Sequence, residues 1–295
     1  MIRRERPTDI YVPHPCDNHS DHYATYCFVR AAIEQLDSEG YDRARKIEVH
    51  TYLVHRGDWP SPKGDYPQET LAPPYALAHT DTKWRTLELP PDAAELKRRA
   101  IKQYKTQTAI ERGFLMSFAR GNEVFGTIPD RKITHITRRK ITIDGNPEDW
   151  SGILPAVVDP VGDYVVAGFS KGGDVRTIYL SSDDRYLFLR VDCVRNLSKS
   201  VTYNLNFRGL SDPETSNRYT ISIRPKSHAK PARTIWAYRN NVLEVAVPLA
   251  KLNFDEDVFL RVHTTLTKLT VDNTGWRGFE FKQKAESGKQ GMGSG

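Results

Sequence analysis

The spacing of apolar and polar positions divides this chain into two regions of different rhythm. Up to about residue 137, short apolar runs alternate with stretches of helical spacing; beyond it, strand follows strand with turn residues between. In the first region, residues 9–13 read as a short buried strand. His22, Tyr26, Val29, Ile33 and Leu36 then recur on one helical face, with Ser20 as the expected N-cap, Asp21 in the first turn and Gly40 as the stop. Residues 47–54 and 84–89 read as further strands. Pro90-Pro91-Asp92, with Glu95 three residues on, predicts a capped helix to about Ala119 that buries Leu96, Ala100, Tyr104, Thr108, Leu115 and Phe118. Between these elements, residues 60–74 hold five prolines and read as a long surface loop, an excursion that could rim a cleft with Trp59 and Tyr66.

In the second region the expected strands are 140–143, 175–180, 186–193, 201–207, 218–223, 233–238, 242–247 and 258–265. Tyr186, Phe188, Arg190 and Asp192 alternate with Leu187, Leu189, Val191 and Cys193, which places that strand between a core and a wetter face. The expected architecture is therefore α/β plus all-β. An incomplete Rossmann-like α/β half-domain occupies residues 1–137, an antiparallel β-sandwich residues 138–282, and a Gly/Ser/Lys-rich disordered tail residues 283–295.

Composition narrows the functions. A chain of 295 residues, 38% hydrophobic and 27% charged, has the make-up of a folded globular protein. Its net charge of +6 is spread over both regions without a basic block, which argues against a nucleic-acid partner. The three cysteines show no metal-site or redox spacing, and no stretch approaches the apolar length of a membrane span. The compartment stays open.

The densest chemistry lies in Pro13-His14-Pro15-Cys16-Asp17-Asn18-His19-Ser20-Asp21-His22, directly after the first strand and before the first helix. Imidazole and carboxylate are zinc ligands, and loops at the carboxyl ends of strands are where open α/β sheets bind ligands. A proline-stiffened loop whose histidines cap a helix accounts for the spacing equally well. In the second region, Trp236 and Trp276, with Tyr238 and Tyr203, are candidates for a sugar-stacking surface, core packing being the competing role; Trp150, after the Asp144-Gly145 turn, reads as a plug in the sandwich. Asp183-Asp184 reads as a hairpin turn in preference to a calcium site.

Residues 3–127 resemble the C-terminal part of the PIG-L/LmbE-like zinc-dependent N-deacetylases. The likeness is carried by Thr8-Asp9-Ile10-Tyr11-Val12-Pro13-His14-Pro15, His19-Ser20-Asp21-His22, Tyr52-Leu53-Val54-His55-Arg56-Gly57, Lys97 through Gln107, and Asn122-Glu123-Val124-Phe125. It implies His22 as a zinc ligand, and His19 as the group that steadies the tetrahedral intermediate or protonates the leaving amine. Asp21 would orient its neighbours from behind. The implied reaction removes an N-acetyl group from an amino sugar or sugar conjugate. Ser20 stands where the family has proline. The family's early Ala-His-Pro-Asp-Asp motif, source of two zinc ligands and the general base, is absent from this sequence. The resemblance therefore implies an N-terminally truncated chain, inactive alone, with an unpaired strand edge; the alternative is a half-domain completed by another polypeptide.

Residues 138–282 resemble the sandwiches of carbohydrate-binding module family 9 and DOMON-like domains. The likeness rests on residues 141–150, on Asp174-Val175, Tyr179-Leu180, Asp183-Asp184 and residues 186–190, and on residues 243–248. It implies the fold more than a ligand. The alternative function is thus a non-catalytic carbohydrate-binding or structural sandwich protein.

Overall fold

A computed structural model of the chain describes residues 1–280, apart from residues 58, 110, 130, 138–139, 164–171, 210–217, 226–233 and 253–256. The expected disordered tail lies outside the described residues. The chain forms two compact units, one of residues 1–129 with 158–161, the other of residues 130–157 with 162–295. Two short strands that precede the expected boundary at residue 137 belong to the second unit.

The first unit is mixed α/β. A short helix α1 (Ile2–Glu5) precedes β1 (Asp9–Pro13), the long helix α2 (Ser20–Ser38), β2 (Glu48–Tyr52) and β3 (Lys83–Glu88). Helices α3 (Pro91–Gln103) and α4 (Lys105–Thr108) follow, then a 3-10 stretch (Glu111–Phe118) and β4 (Asn122–Thr127). The sheet order is β1-β2-β4-β3. β1 and β2 run parallel, joined through α2, which packs on β1 and buries Tyr26 and Ile33. β4 is antiparallel to both its neighbours. β1 forms one edge of this sheet, with Tyr11 half exposed.

Two expectations for this unit are corrected. His19, not Ser20, caps α2, because its ring nitrogen Nδ1 accepts the Asp21 amide at 3.2 Å. The helix expected to reach Ala119 ends at Gln103, where Tyr104 leaves helical geometry and Gly113 later takes a positive φ of 79°. No capping box forms there, and α3 buries none of its residues: Leu96 is 59% exposed, and Tyr104, just past its end, is 65% exposed. The periodicity of α3 was real, yet no layer covers its apolar stripe among the described residues. The proline-rich loop is tied down by an ordinary set of bonds. Trp59 donates to the Ala72 carbonyl at 2.8 Å, Gly64 to the Ser117 hydroxyl, and Asn122 pairs in both directions with the Leu71 backbone.

The second unit is all β. Its strands are β5 (Arg131–Lys132), β6 (Thr134–His135), β7 (Pro155–Val158), β8 (Val175–Ser182), β9 (Tyr186–Cys193), β10 (Val201–Gly209), β11 (Arg218–Ile223), β12 (Ile235–Arg239), β13 (Val242–Pro248), β14 (Asp257–Leu266), β15 (Leu269–Asn273) and β16 (Arg277–Glu280). One sheet runs β11-β10-β14-β16-β5 with β15 on β14; the other runs β12-β13-β9-β8-β6 with β7 on β8. β8 to β16 pair antiparallel with one another, whereas the two short N-terminal strands β5 and β6 run parallel to β16 and β8. Leu187, Leu189 and Val191 of β9 share one core with Leu205 and Phe207 of β10, Val262 of β14 and Leu243 of β13, so the inner faces of two sheets close on each other. Residues 140–143, expected as a strand, are irregular coil.

The outer face of β9 is drier than its alternation suggests. Phe188 and Ala246 are covered by Ile141, Ile153 and Trp150, which is 1% exposed. Glu244, fully buried on β13, holds this cover in place. Its carboxylate accepts from Trp150 Nε1 at 2.8 Å, from the Gly145 amide at 2.7 Å and from the Asp144 amide at 3.0 Å. Asp144-Gly145 turns tightly because a side chain at Gly145, with φ 82°, would meet the Arg239 amide nitrogen at 2.6 Å. Asp183 likewise makes the expected turn, accepting from the Arg185 and Tyr186 amides at 2.7 Å each.

Replacing Glu244 with Ala strands three donors, two on the backbone and one on Trp150, and is expected to destabilise the second unit by roughly 3–5 kcal/mol in urea unfolding followed by tryptophan fluorescence. Glu244→Gln, which keeps one acceptor oxygen, should lose about half of that. A Glu244→Ala loss below about 1 kcal/mol would remove Glu244 from this role.

Candidate functional site

The His-rich stretch forms a folded loop across the carboxyl ends of the two parallel strands, and one carboxylate organises it. Asp17, whose side chain is fully buried, accepts the His19 amide at 2.9 Å on Oδ1, and the Val54 and His55 amides at 2.9 and 3.0 Å on Oδ2. The backbone adds the Asn18 amide on the His55 carbonyl at 2.7 Å and the His14 amide on the Tyr52 carbonyl at 2.7 Å. Loop and strand end are thereby stitched together.

His22 sits in the first turn of α2 with Nδ1 3.2 Å from Asp17 Oδ2, within ion-pair distance though off the line of a hydrogen bond. A carboxylate facing Nδ1 places the ring proton there and leaves the lone pair on Nε2. His19 is set the opposite way. Its Nδ1 accepts the Asp21 amide, so in the neutral ring the proton resides on Nε2. The two rings lie 4.9 Å apart, and His55 stands beside both, at 5.4 Å from His19 and 5.3 Å from His22. His55 stacks in turn on Phe114 at 5.5 Å. Three imidazoles thus gather at one strand end, one with an available lone pair and one with an available N–H.

His14 takes no part. It is fully buried, its Nδ1 accepting the Cys16 amide and its Nε2 lying 3.0 Å from the Thr82 hydroxyl, while its ring stacks on Trp84. Asp21 is exposed, and it is its amide, not its carboxylate, that touches His19. Asp17 occupies the orienting position against His22 that the motif likeness gives to Asp21. Sequence reasoning gave Asp17 no such role, and it named His55 only within the motif likeness, without assigning it a role. The signal for His55 was its place at the end of β2, next to β1 in a parallel pair, where strand ends coincide.

Among the described residues, the first unit brings ligand atoms within 4.8 Å of one another in Asp9, Glu48 and His50, at the opposite end of the same strands. Here His50 Nε2 lies 2.7 Å from Asp9 Oδ1 and 3.7 Å from Glu48 Oε2, which accounts for the cluster as a buried histidine between two exposed acids. The His50 bond holds the Asp9 carboxyl below the usual range. His19, His22 and His55 do not close a three-ligand cage of that tightness.

In the second unit, Trp236 is half buried against the sandwich core and lies nearly parallel to Tyr238 at 6.2 Å. Trp276 is half buried with the Arg261 guanidinium 5.1 Å over its ring. They belong to different sheets, Trp236 on β12 and Trp276 just before β16. Tyr203 is wholly in the core, its hydroxyl donating to the Gly172 carbonyl.

No family model matches this chain, and a search of curated proteins finds no match.

Asp17→Ala leaves the His19, Val54 and His55 amides without their acceptor, and is expected to cost the first unit roughly 3–5 kcal/mol, read as a lower urea midpoint. Asp17→Asn keeps an acceptor oxygen and should cost less, about 1–2 kcal/mol. Equal midpoints for wild type and Asp17→Ala would contradict the stitching role.

Proposed function

We propose that the first unit carries one wall of a zinc-dependent amide hydrolase site, which removes an N-acetyl group from an amino sugar or sugar conjugate. The observation that supports this reading is the opposed setting of two adjacent histidines, with Asp17 behind His22 and the Asp21 amide behind His19. The likeness of His19-Ser20-Asp21-His22 to the deacetylase motif supplies the reaction class, and the parallel β1–α2–β2 unit is the piece of a Rossmann-like layer that would bear it.

In this reading His22 Nε2 is the zinc ligand. Its donor chemistry fits that ion, since an imidazole backed by a carboxylate is the usual zinc-ligating arrangement. Bound zinc would polarise the amide carbonyl and lower the pKa of a coordinated water. A catalytic zinc needs about three protein ligands, and the described residues offer this one in a suitable setting, so the remaining ligands and the base are assigned outside them. His19 does its work through Nε2–H, donating to the carbonyl oxygen as negative charge gathers there. Asp17 keeps the His22 lone pair outward. His55 fills the side between them and Phe114.

The chain by itself is expected to take up zinc weakly and to release no acetate from N-acetylglucosamine conjugates. In calorimetric zinc titration, His22→Ala should weaken binding at least about tenfold, an effect of the size seen when a ligand or its support is removed. His19→Ala should leave it unchanged. Unaltered zinc uptake in His22→Ala would overturn the assignment.

A further inference from the structure

The outward face of one sandwich sheet carries an ordered array of hydrogen-bond donors. On β10, β11 and β14, Leu205, Phe207, Ile221, Ile223, Leu260 and Val262 fill the core, so the residues between them point the other way. The register sets Asn204 between Ser222 and His263, Asn206 between Thr220 and Arg261, and Arg208 opposite Arg218. Asparagine is a poor strand former, so strand propensity does not account for two of them on a strand flanked on both sides.

Hydrogen bonds cross these three strands in one direction. The Ser222 hydroxyl donates to Asn204 Oδ1 at 2.7 Å, and Asn204 Nδ2 reaches the Thr265 hydroxyl at 3.3 Å. Beside them, the Thr220 hydroxyl donates to Asn206 Oδ1 at 3.3 Å, and Asn206 Nδ2 donates to His263 Nδ1 at 2.9 Å. Each relay ends on an acceptor of β14. What β14 has left to give is hydrogen, the Thr265 O–H and the His263 Nε2–H. Burial, with Arg261 beside it, holds the His263 imidazole below its usual range, which keeps the ring neutral and in that tautomer near pH 7.

The charges on this face are of one sign. No outward residue of β10 or β11 is an acid. Arg208 and Arg218 are exposed and stand directly opposite each other, a like-charge pairing that destabilises a sheet. The Arg261 guanidinium lies 5.1 Å over the Trp276 ring, its Nε buried without an acceptor among the described residues. A ring holds it in place, not an acid. Among the described residues none of these three arginines forms an ion pair.

We propose that this face binds an acidic polysaccharide, a uronate chain whose carboxylates pair with Arg208, Arg218 and Arg261 and whose hydroxyl oxygens accept from Thr265 and His263. Guanidinium forks pair bidentately with carboxylates, and the neutral donors suit the oxygens between one acid and the next. A neutral glycan would leave the three arginines unanswered. A single-stranded nucleic acid needs open aromatic platforms for its bases, whereas Arg261 already covers Trp276. The site is independent of the zinc-hydrolase reading, because it lies in the second unit and uses neither His19 nor His22.

The test is calorimetric titration of the full chain with short galacturonate oligomers at about 150 mM NaCl, where weak surface attraction is screened. Neutral xylan oligomers, dextran sulfate and poly(A) serve as competing probes. Galacturonate oligomers are expected to bind, and xylan oligomers to bind at least about tenfold more weakly. The double variant Arg208→Gln, Arg218→Gln should weaken galacturonate binding at least about tenfold, with a thermal midpoint at or above wild type once the like-charge pair is gone. Thr265→Val should weaken it about threefold, which reports the hydrogen bonds apart from the charge. Arg185→Gln, an exposed arginine in the β8–β9 turn of the other sheet, should match wild type. Absence of galacturonate binding in the wild type overturns the proposal. So does full binding in the double variant, a loss of equal size in Arg185→Gln, or tighter binding of dextran sulfate or poly(A) than of galacturonate.

Discussion

The candidate site depends on the three backbone amides that converge on the buried carboxylate of Asp17. Loops carry unpaired amides, and burying them without acceptors costs more than most packing returns. By accepting from His19, Val54 and His55, Asp17 satisfies the loop and the end of β2 at once. The same oxygen that holds Val54 and His55 then faces His22. A structural need and a chemical setting thus meet in one side chain. The backbone bonds fix where the carboxylate sits, and the carboxylate fixes which nitrogen of His22 is left outward.

The second unit repeats this principle with a different outcome. Glu244 also gathers two backbone amides and a side-chain donor, yet every one of its contacts serves packing, by holding Trp150 over Phe188 and Ala246. Asp174 resembles both in burial but keeps an oxygen without a donor among the described residues. Buried carboxylates with complete donor sets act as structural fasteners.

Strands were read from the sequence with fair accuracy because alternation is a local property that burial then rewards. Residues 9–13, 186–193 and 218–223 form strands at those bounds. The helix expected to reach Ala119 failed for a tertiary reason. Leu96 and Tyr104 have the right spacing, but nothing described covers them, and Tyr104 breaks the helix. The sheet of the first unit also turned antiparallel at β4, a pairing that periodicity does not encode. The site was half legible. His19 and His22 stand out by local density. Asp17 and His55 act across the gap between neighbouring strands, so their roles emerge only when β1 and β2 are placed side by side. His14, equally conspicuous in the sequence, spends both ring nitrogens on its surroundings.

The central claim concerns proton positions on two rings, and long-range 1H–15N NMR of the imidazoles reads them directly in the intact chain at neutral to mildly alkaline pH. The account predicts His22 as the Nδ1–H tautomer and His19 as the Nε2–H tautomer, with the His22 pattern losing that preference in Asp17→Asn. A wild-type His22 protonated on Nε2, or a His19 protonated on Nδ1, would contradict it.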